Sequence, residues 1–206
     1  MAMDSKLKLI YVDAKALAEP IRFLLAYGNI EYEDYRMSHT QFQKDKSKYP
    51  YNKIPNMMIE GQLVHQSMAI ARYFARQVGL AGQDAKEQLE CDIMVDTLAD
   101  YRLQLVSFFY DTHPESRQRK KDLCFNETLP MYLTRLEAHV KKNGGYFING
   151  KLTWVDLVFA GVQDYLNYMA EYDLLKDYPE LKALEERVLA APAIKAWVDE
   201  RPVTEM

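Results

Sequence analysis

Cysteine is scarce in this sequence. Its 206 residues hold two, Cys91 and Cys124, far apart and without metal-ligand spacing. That excludes a disulfide scaffold and a structural zinc site. Cys91 sits in an apolar periodic stretch and reads as a buried free thiol. Also missing is any run of about twenty apolar residues, so neither a membrane-spanning helix nor a membrane partner is expected. The first six residues are polar and contain no apolar signal-peptide core. Together with the cysteine usage, this predicts a reduced, cytoplasmic location. There is no excess of positive charge: 26 Lys and Arg face 30 Asp and Glu, a net charge of −4. A nucleic-acid partner is therefore not expected. The basic run Arg117 to Lys121 is balanced by acids elsewhere and reads as a solvated helix face. No internal repeat or low-complexity segment is present.

Hydrophobic residues make up 49% of the chain, enough for one large core or two small ones. Residues 7–12 alternate as a strand does. Apolar residues from Leu17 to Tyr27 follow helical spacing and stop at Gly28, with Pro20 fitting the first turn. Glu31 to Met37 again reads as a strand, so the opening is strand, helix, strand with a parallel pair. Ser38 to Lys53 is polar, with one irregular helix. Pro55 to Ile59, a Glu60-Gly61 turn and Leu63 to His65 read as a hairpin. Ser67 is expected to cap a helix running to Gln77. The order β-α-β-(α)-β-β-α is that of a thioredoxin-like domain, predicted to occupy residues 1–82. Leu80 to Asp84 is the linker candidate. Residues 83–206 carry almost no strand signal and are expected to form an all-α domain. Its helices are predicted over about 85–110 and about 116–142. A third follows a capping box at Thr153 to Asp156 and runs to Ala170.

Four features suggest chemistry, each beside an ordinary explanation. Tyr11 ends the first strand, where α/β folds place ligand crevices, yet it is one of fifteen tyrosines. Ile54-Pro55 opens the hairpin; the proline fits an edge, a turn, or a cis bond presenting the backbone of Ile54 to a bound peptide. Gln66-Ser67 stands at a helix start, where free N–H groups and the dipole favour an anion; a plain cap is the alternative. Asp92, Asp96 and Asp100 form an acidic stripe at i, i+4, i+8, either solvated or answered by a cation.

These features are joined by specific sequence. Ala16-Leu17-Ala18-Glu19-Pro20-Ile21-Arg22 after Tyr11, Lys53-Ile54-Pro55, and His65-Gln66-Ser67-Met68-Ala69-Ile70-Ala71-Arg72-Tyr73 resemble sigma-class cytosolic glutathione S-transferases. So do Leu152-Thr153-Trp154-Val155-Asp156, Pro192-Ala193-Ile194-Lys195-Ala196-Trp197 and Arg201-Pro202-Val203-Thr204. The resemblance spans nearly the whole chain, is strongest to the invertebrate branch, and extends to haematopoietic prostaglandin D synthases. It implies glutathione as co-substrate, a hydrophobic electrophile as second substrate, and a homodimer. Tyr11 would hydrogen-bond the glutathione sulfur. Lys46 and Lys53 would hold the glycyl carboxylate beside Phe42, the position at which the family usually has a tryptophan that helps to hold it. Ile54, before a cis Pro55, would pair with the cysteinyl unit. Gln66 and Ser67 would bind the γ-glutamyl carboxylate, and Asp100 of the other subunit the γ-glutamyl amine. Val12, Arg102 and Val106 are candidate electrophile-wall residues.

The chain departs from that pattern in places. Phe42 replaces a tryptophan and loses its N–H donor. Asn52 replaces a glycine, and tolerates a left-handed backbone better than most residues. Leu17 replaces an arginine, and Ala99 an aspartate associated with magnesium, both found in the prostaglandin synthases; no metal is expected. Two further readings compete: a non-enzymatic ligand-binding or S-crystallin-like structural protein, and a glutathione-dependent prostaglandin isomerase.

Overall fold

The computed structural model describes residues 7–204. The polar opening, residues 1–6, lies outside them. The first strand, β1 (Lys8–Val12), is almost wholly buried, as an inner strand must be. It pairs in parallel with β2 (Glu33–Met37), from Lys8 opposite Glu33 to Val12 opposite Met37. On its other side it runs antiparallel to β3 (Asn56–Ile59), which runs antiparallel to β4 (Gln62–His65). The sheet order is β2-β1-β3-β4. The hairpin turns through Glu60 (φ 50°) and Gly61 (φ 78°), both left-handed, the twist that two-residue hairpins favour.

Local chemistry moves several expected boundaries. β2 begins at Glu33, because Glu33 is the residue that meets Lys8. The helix expected from Leu17 opens as a tight 3-10 turn over Ala16–Ala18 and becomes α1 at Glu19–Tyr27, with Pro20 in its first turn. The polar stretch holds α2 (His39–Asp45), whose cap the sequence reading missed: the Ser38 hydroxyl accepts the Gln41 N–H at 3.1 Å. Two 3-10 turns follow, over 46–48 and 50–52. Ser67 does not cap α3 (Ser67–Gln77); it is the first helical residue, and Gln66 stands before it at φ 77°. Pairing of His65 with Asn56 carries the strand up to that point, leaving one residue to turn the chain.

From Ala85 onward the described residues are helical apart from loops and a single bridge, Ile148 to Lys151. The 25-residue α4 (Ala85–Phe109) is capped by Asp84, whose carboxylate accepts the Lys86 and Glu87 N–H groups at 2.9 Å. The helix expected over 116–142 is longer and not uniform. It comprises α5 (Pro114–Leu123), a wide π turn over Cys124–Thr128, and α6 (Leu129–Lys142). Pro130 explains the break, since it has no N–H and its ring crowds the preceding turn of a regular helix. Next come α7 (Trp154–Ala170), α8 (Pro179–Leu189) and α9 (Pro192–Glu200). The Asp156 carboxylate accepts the Thr153 N–H at 2.7 Å and the Phe147 N–H at 2.9 Å, starting α7 as the capping pattern predicts. α7 is buried along nearly its full length and forms the core of the helical part. It packs on α1 at Gly161, where an added Cβ would lie 3.0 Å from the Pro20 nitrogen. The Trp154 N–H donates to Leu80 O at 3.0 Å, joining the two halves again. No described helix is long and apolar enough to cross a membrane. Both cysteines are free and buried.

Candidate active site

Tyr11 ends up 8% exposed near the C-terminal end of β1. Burial pushes its phenol up to about 12; the backbone N–H of Leu17 works against that, as do the Arg22 and Arg102 charges. The hydroxyl therefore stays protonated at neutral pH. A protonated phenol carries a hydrogen that it can donate to an acceptor.

Beside Leu17 opens a cavity of about 220 Å³. Lys53, Ile54, Pro55, Gln66, Ser67 and Arg102 all line it, together with Tyr51 and His65. Residues from the β3 entry, the α3 start and α4 thus converge on one hollow. The Ile54-Pro55 bond is cis, one of the three conformations the sequence left open. Asn52 is left-handed (φ 55°), the backbone for which asparagine is suited; Tyr51 before it is also left-handed (φ 53°), which no sequence signal announced. The fully buried Asn56 amide donates to Lys53 O at 2.7 Å and holds this turn closed. Ser67 brings a hydroxyl and the unpaired first N–H groups of α3 to the same wall, a favourable setting for a carboxylate.

A second, narrower space of about 40 Å³ runs between the sheet side and the helices. Leu17, Ser67 and Arg102 belong to both cavities, and Ala99, Val158 and Val162 complete its apolar wall. A third hollow, about 740 Å³, opens at the end of α4 between Phe109, Tyr110 and Arg117. Tyr110 bears on Tyr11 electrostatically, and its hydroxyl lies 3.1 Å from that of Tyr165. Neither Tyr110 nor Tyr165 was singled out from sequence, since nothing distinguishes them from the other tyrosines until α4 and α7 are packed.

Other expected site residues, Tyr11 among them, are not part of the lining of these three hollows. Phe42 is half-buried on α2 and packs on Tyr49, ring centroids 6.2 Å apart. Lys46 and Asp100 are exposed, Asp100 on the outer surface of α4. Val12 is buried within the core and Val106 half-buried against it. The acidic stripe is partly answered inside the chain: Arg72 Nε meets the Asp92 carboxylate at 2.8 Å. Asp96 and Asp100 remain on the surface.

The sequence reading also missed a buried ionic cluster. Glu19 and Arg22, on α1, are both 0% exposed and 3.0 Å apart. Arg22 also meets Asp34 on β2 at 3.2 Å, and Arg36 meets the same carboxylate at 2.8 Å. Trp197 Nε1 and Arg201 Nη1 each donate to Glu19 at 2.8 Å. The available signal was two charged residues at i, i+3 within an otherwise apolar helix, because buried charges are seldom unpaired.

Known proteins share this fold. The family model for the glutathione S-transferase N-terminal domain matches residues 7–76, and that for the C-terminal domain matches residues 99–201. Glutathione S-transferase S1 of Drosophila melanogaster is 44% identical over 96% of this chain and 80% of its own length. Hematopoietic prostaglandin D synthase of Gallus gallus is 38% identical, over 96% of this chain and 97% of that protein. A solved structure named as prostaglandin synthase D of Nilaparvata lugens superposes with a TM-score of 0.92 at 37% identity, covering 97% of this chain and all of the other. The chain has the glutathione transferase fold and belongs to the glutathione S-transferase family of enzymes.

Proposed function

We propose that this enzyme, of the sigma class, binds glutathione in the hollow beside Leu17 and adds its thiolate to hydrophobic electrophiles, with Tyr11 holding the sulfur as an anion. One observation carries the reading: Tyr11 is buried at the end of β1, and Leu17, whose backbone N–H bears on its phenol, lines the hollow together with Ile54, Gln66 and Ser67. A free thiol has a pKa of about 8.5 and is only a few per cent ionised at pH 7. The thiolate is the nucleophile. A charge-assisted hydrogen bond from Tyr11 is worth roughly 1.5–3 kcal/mol, or about one to two pKa units. That ionises most of the bound thiol at neutral pH.

In this reading residues 1–82 bind glutathione and residues 83–206 supply the electrophile wall. Gln66 and Ser67 take the γ-glutamyl carboxylate at the α3 N-terminus, the Ile54 backbone pairs with the cysteinyl unit beside cis Pro55, and Lys53 and Lys46 face the glycyl carboxylate near Phe42. Asp100 meets the γ-glutamyl amine of the other subunit. Arg102, with Val12 and Val106, flanks the electrophile. No metal takes part. The two free cysteines fit a reducing, cytoplasmic setting.

Tyr11→Phe tests the mechanism. It keeps the ring, so glutathione binding should barely change. The conjugation rate at pH 7 should fall by roughly ten- to thirty-fold, with part of the loss recovered as pH rises and the free thiol ionises. An unchanged rate and pH profile would reduce Tyr11 to an ordinary strand residue. A second reading, glutathione-dependent isomerisation of prostaglandin endoperoxides, is favoured by the prostaglandin D synthase names among the relatives. Leu17 and Ala99 weigh against it, and turnover of an endoperoxide substrate decides the matter.

A further inference from the structure

The loop joining β1 to α1 begins two residues after Tyr11 and carries Leu17, which lines the hollow and whose backbone N–H bears on the phenol. The residue before Leu17, Ala16, is left-handed at φ 35°, an unusual conformation for a residue with a Cβ. Such a backbone persists only where its surroundings over-determine it. Two side chains grip this loop from outside. Arg22 Nη1 donates to Ala14 O at 2.7 Å, and Lys15 Nζ meets the Asp164 carboxylate at 2.9 Å. Both grips lead to the same residue. Arg201 Nη1 meets Glu19, the partner of Arg22, at 2.8 Å; Arg201 Nη2 meets Asp164, the partner of Lys15, at 3.2 Å. Trp197 Nε1 completes the set by donating to Glu19 at 2.8 Å.

We propose that Arg201 and Trp197 are positioning residues for Tyr11, acting through Glu19 and Asp164 on the loop that leads from Tyr11 to Leu17. The inference rests on the reading of Tyr11 as the donor to the glutathione sulfur. Arg201 touches neither the phenol nor the cavity; the charged and titratable groups that do bear on Tyr11 are Arg22 from α1, Arg102 from α4 and Tyr110 just beyond it. Arg201 sets where the loop lies, and the loop sets the direction in which the phenol donates.

The test follows the pH titration of enzyme-bound glutathione by the ultraviolet absorbance of its thiolate, with the pH profile of kcat/KM measured alongside. Arg201→Gln should raise the bound thiol's pKa by about half to one unit, a three- to ten-fold loss of thiolate below that pKa. Arg201→Lys, which keeps the charge but reaches one carboxylate at a time, should restore part of the shift. In a Tyr11→Phe background Arg201→Gln should add no further shift, because the two act in series. A lowered melting temperature with an unmoved thiol pKa would show that the cluster is purely structural. A shift that adds in full to that of Tyr11→Phe would overturn the proposal as well. If Arg201→Gln fails to fold, Trp197→Phe removes one N–H and keeps the ring, and the same outcomes apply. Tyr11→Phe alone separates the two ideas. If it leaves the profile unmoved, the Tyr11 reading falls and this inference with it; if it shifts the profile while Arg201→Gln does not, only this inference falls.

Discussion

Glu87, in the first turn of α4, joins three stretches of chain through one carboxylate. It meets Lys151 Nζ at 2.7 Å and the Asn149 amide at 3.1 Å, and it accepts the Gln83 N–H. These bonds, led by Lys151, pull its carboxyl down to about 2 from an ordinary 4.5. A depressed carboxylate stabilises the fold above its unfolded pKa and loses that contribution as pH falls through the folded value. Glu87→Gln should therefore cost roughly 1–3 kcal/mol at pH 7, and the deficit should shrink between about pH 4.5 and 2. Thermal melts of both proteins at pH 7 and pH 3 check this; a deficit equal at the two values would refute it. Glu87 shows what single-residue reading cannot reach. Its partners Asn149 and Lys151 are some sixty residues away, and no local pattern links them. The place of Tyr11 at a strand end was legible because it is local, whereas its role was implied only by the family resemblance. The cavity residues Lys53, Ile54, Gln66 and Ser67 were legible only through family resemblance, since hairpin and cap signals alone had ordinary explanations.

Among the elements, those with strong local chemistry were readable and those shaped by packing were not. The Glu60-Gly61 turn and the Thr153 to Asp156 capping pattern each carry their own instruction. The π turn at Cys124–Thr128 does not: Pro130 predicts a disturbance, but only the burial of Cys124, Leu129 and Leu133 fixes its form. The position of Ser67 was misjudged by one residue, because strand pairing across the hairpin decides where the turn falls. The α1–α7 crossing gives a test at this scale. A Cβ on Gly161 would sit 3.0 Å from Pro20 N and 3.2 Å from its Cα and Cδ, atoms of a rigid ring and backbone. Alanine gains up to about 1 kcal/mol of helix propensity over glycine, whereas overpacking costs typically 1–3 kcal/mol. Gly161→Ala should thus be destabilising by about 1 kcal/mol, measured by denaturant midpoint at unchanged slope. A stabilised variant would mean that α1 can yield.

For the whole molecule, α4 presents an outer face that includes Leu89 and Ile93, at i, i+4 and respectively 59% and 53% exposed. Asp96 and Asp100 continue that face along α4. Exposed apolar residues on one helix face suit a contact surface. We expect a two-fold homodimer of about twice the 24.1 kDa chain in sedimentation at micromolar concentration. Asp100→Asn should leave that mass unchanged and weaken glutathione binding roughly ten- to a hundred-fold, the worth of one charge-assisted hydrogen bond. A purely monomeric species would remove the shared site. The cluster around Glu19 also bears on synthesis. Arg201 meets Glu19 across 182 residues of sequence, a separation that makes the contact entropically late to close. As the chain leaves the ribosome, α1 is made early, yet two of the donors to Glu19 arrive only with α9 and the turn after it. Until then a carboxylate destined for full burial has Arg22 alone as its partner, and α1 has reason to stay loosely seated. We therefore expect the sheet side to draw its first turn tight only when the helical side is nearly finished, the two halves maturing together rather than one after the other.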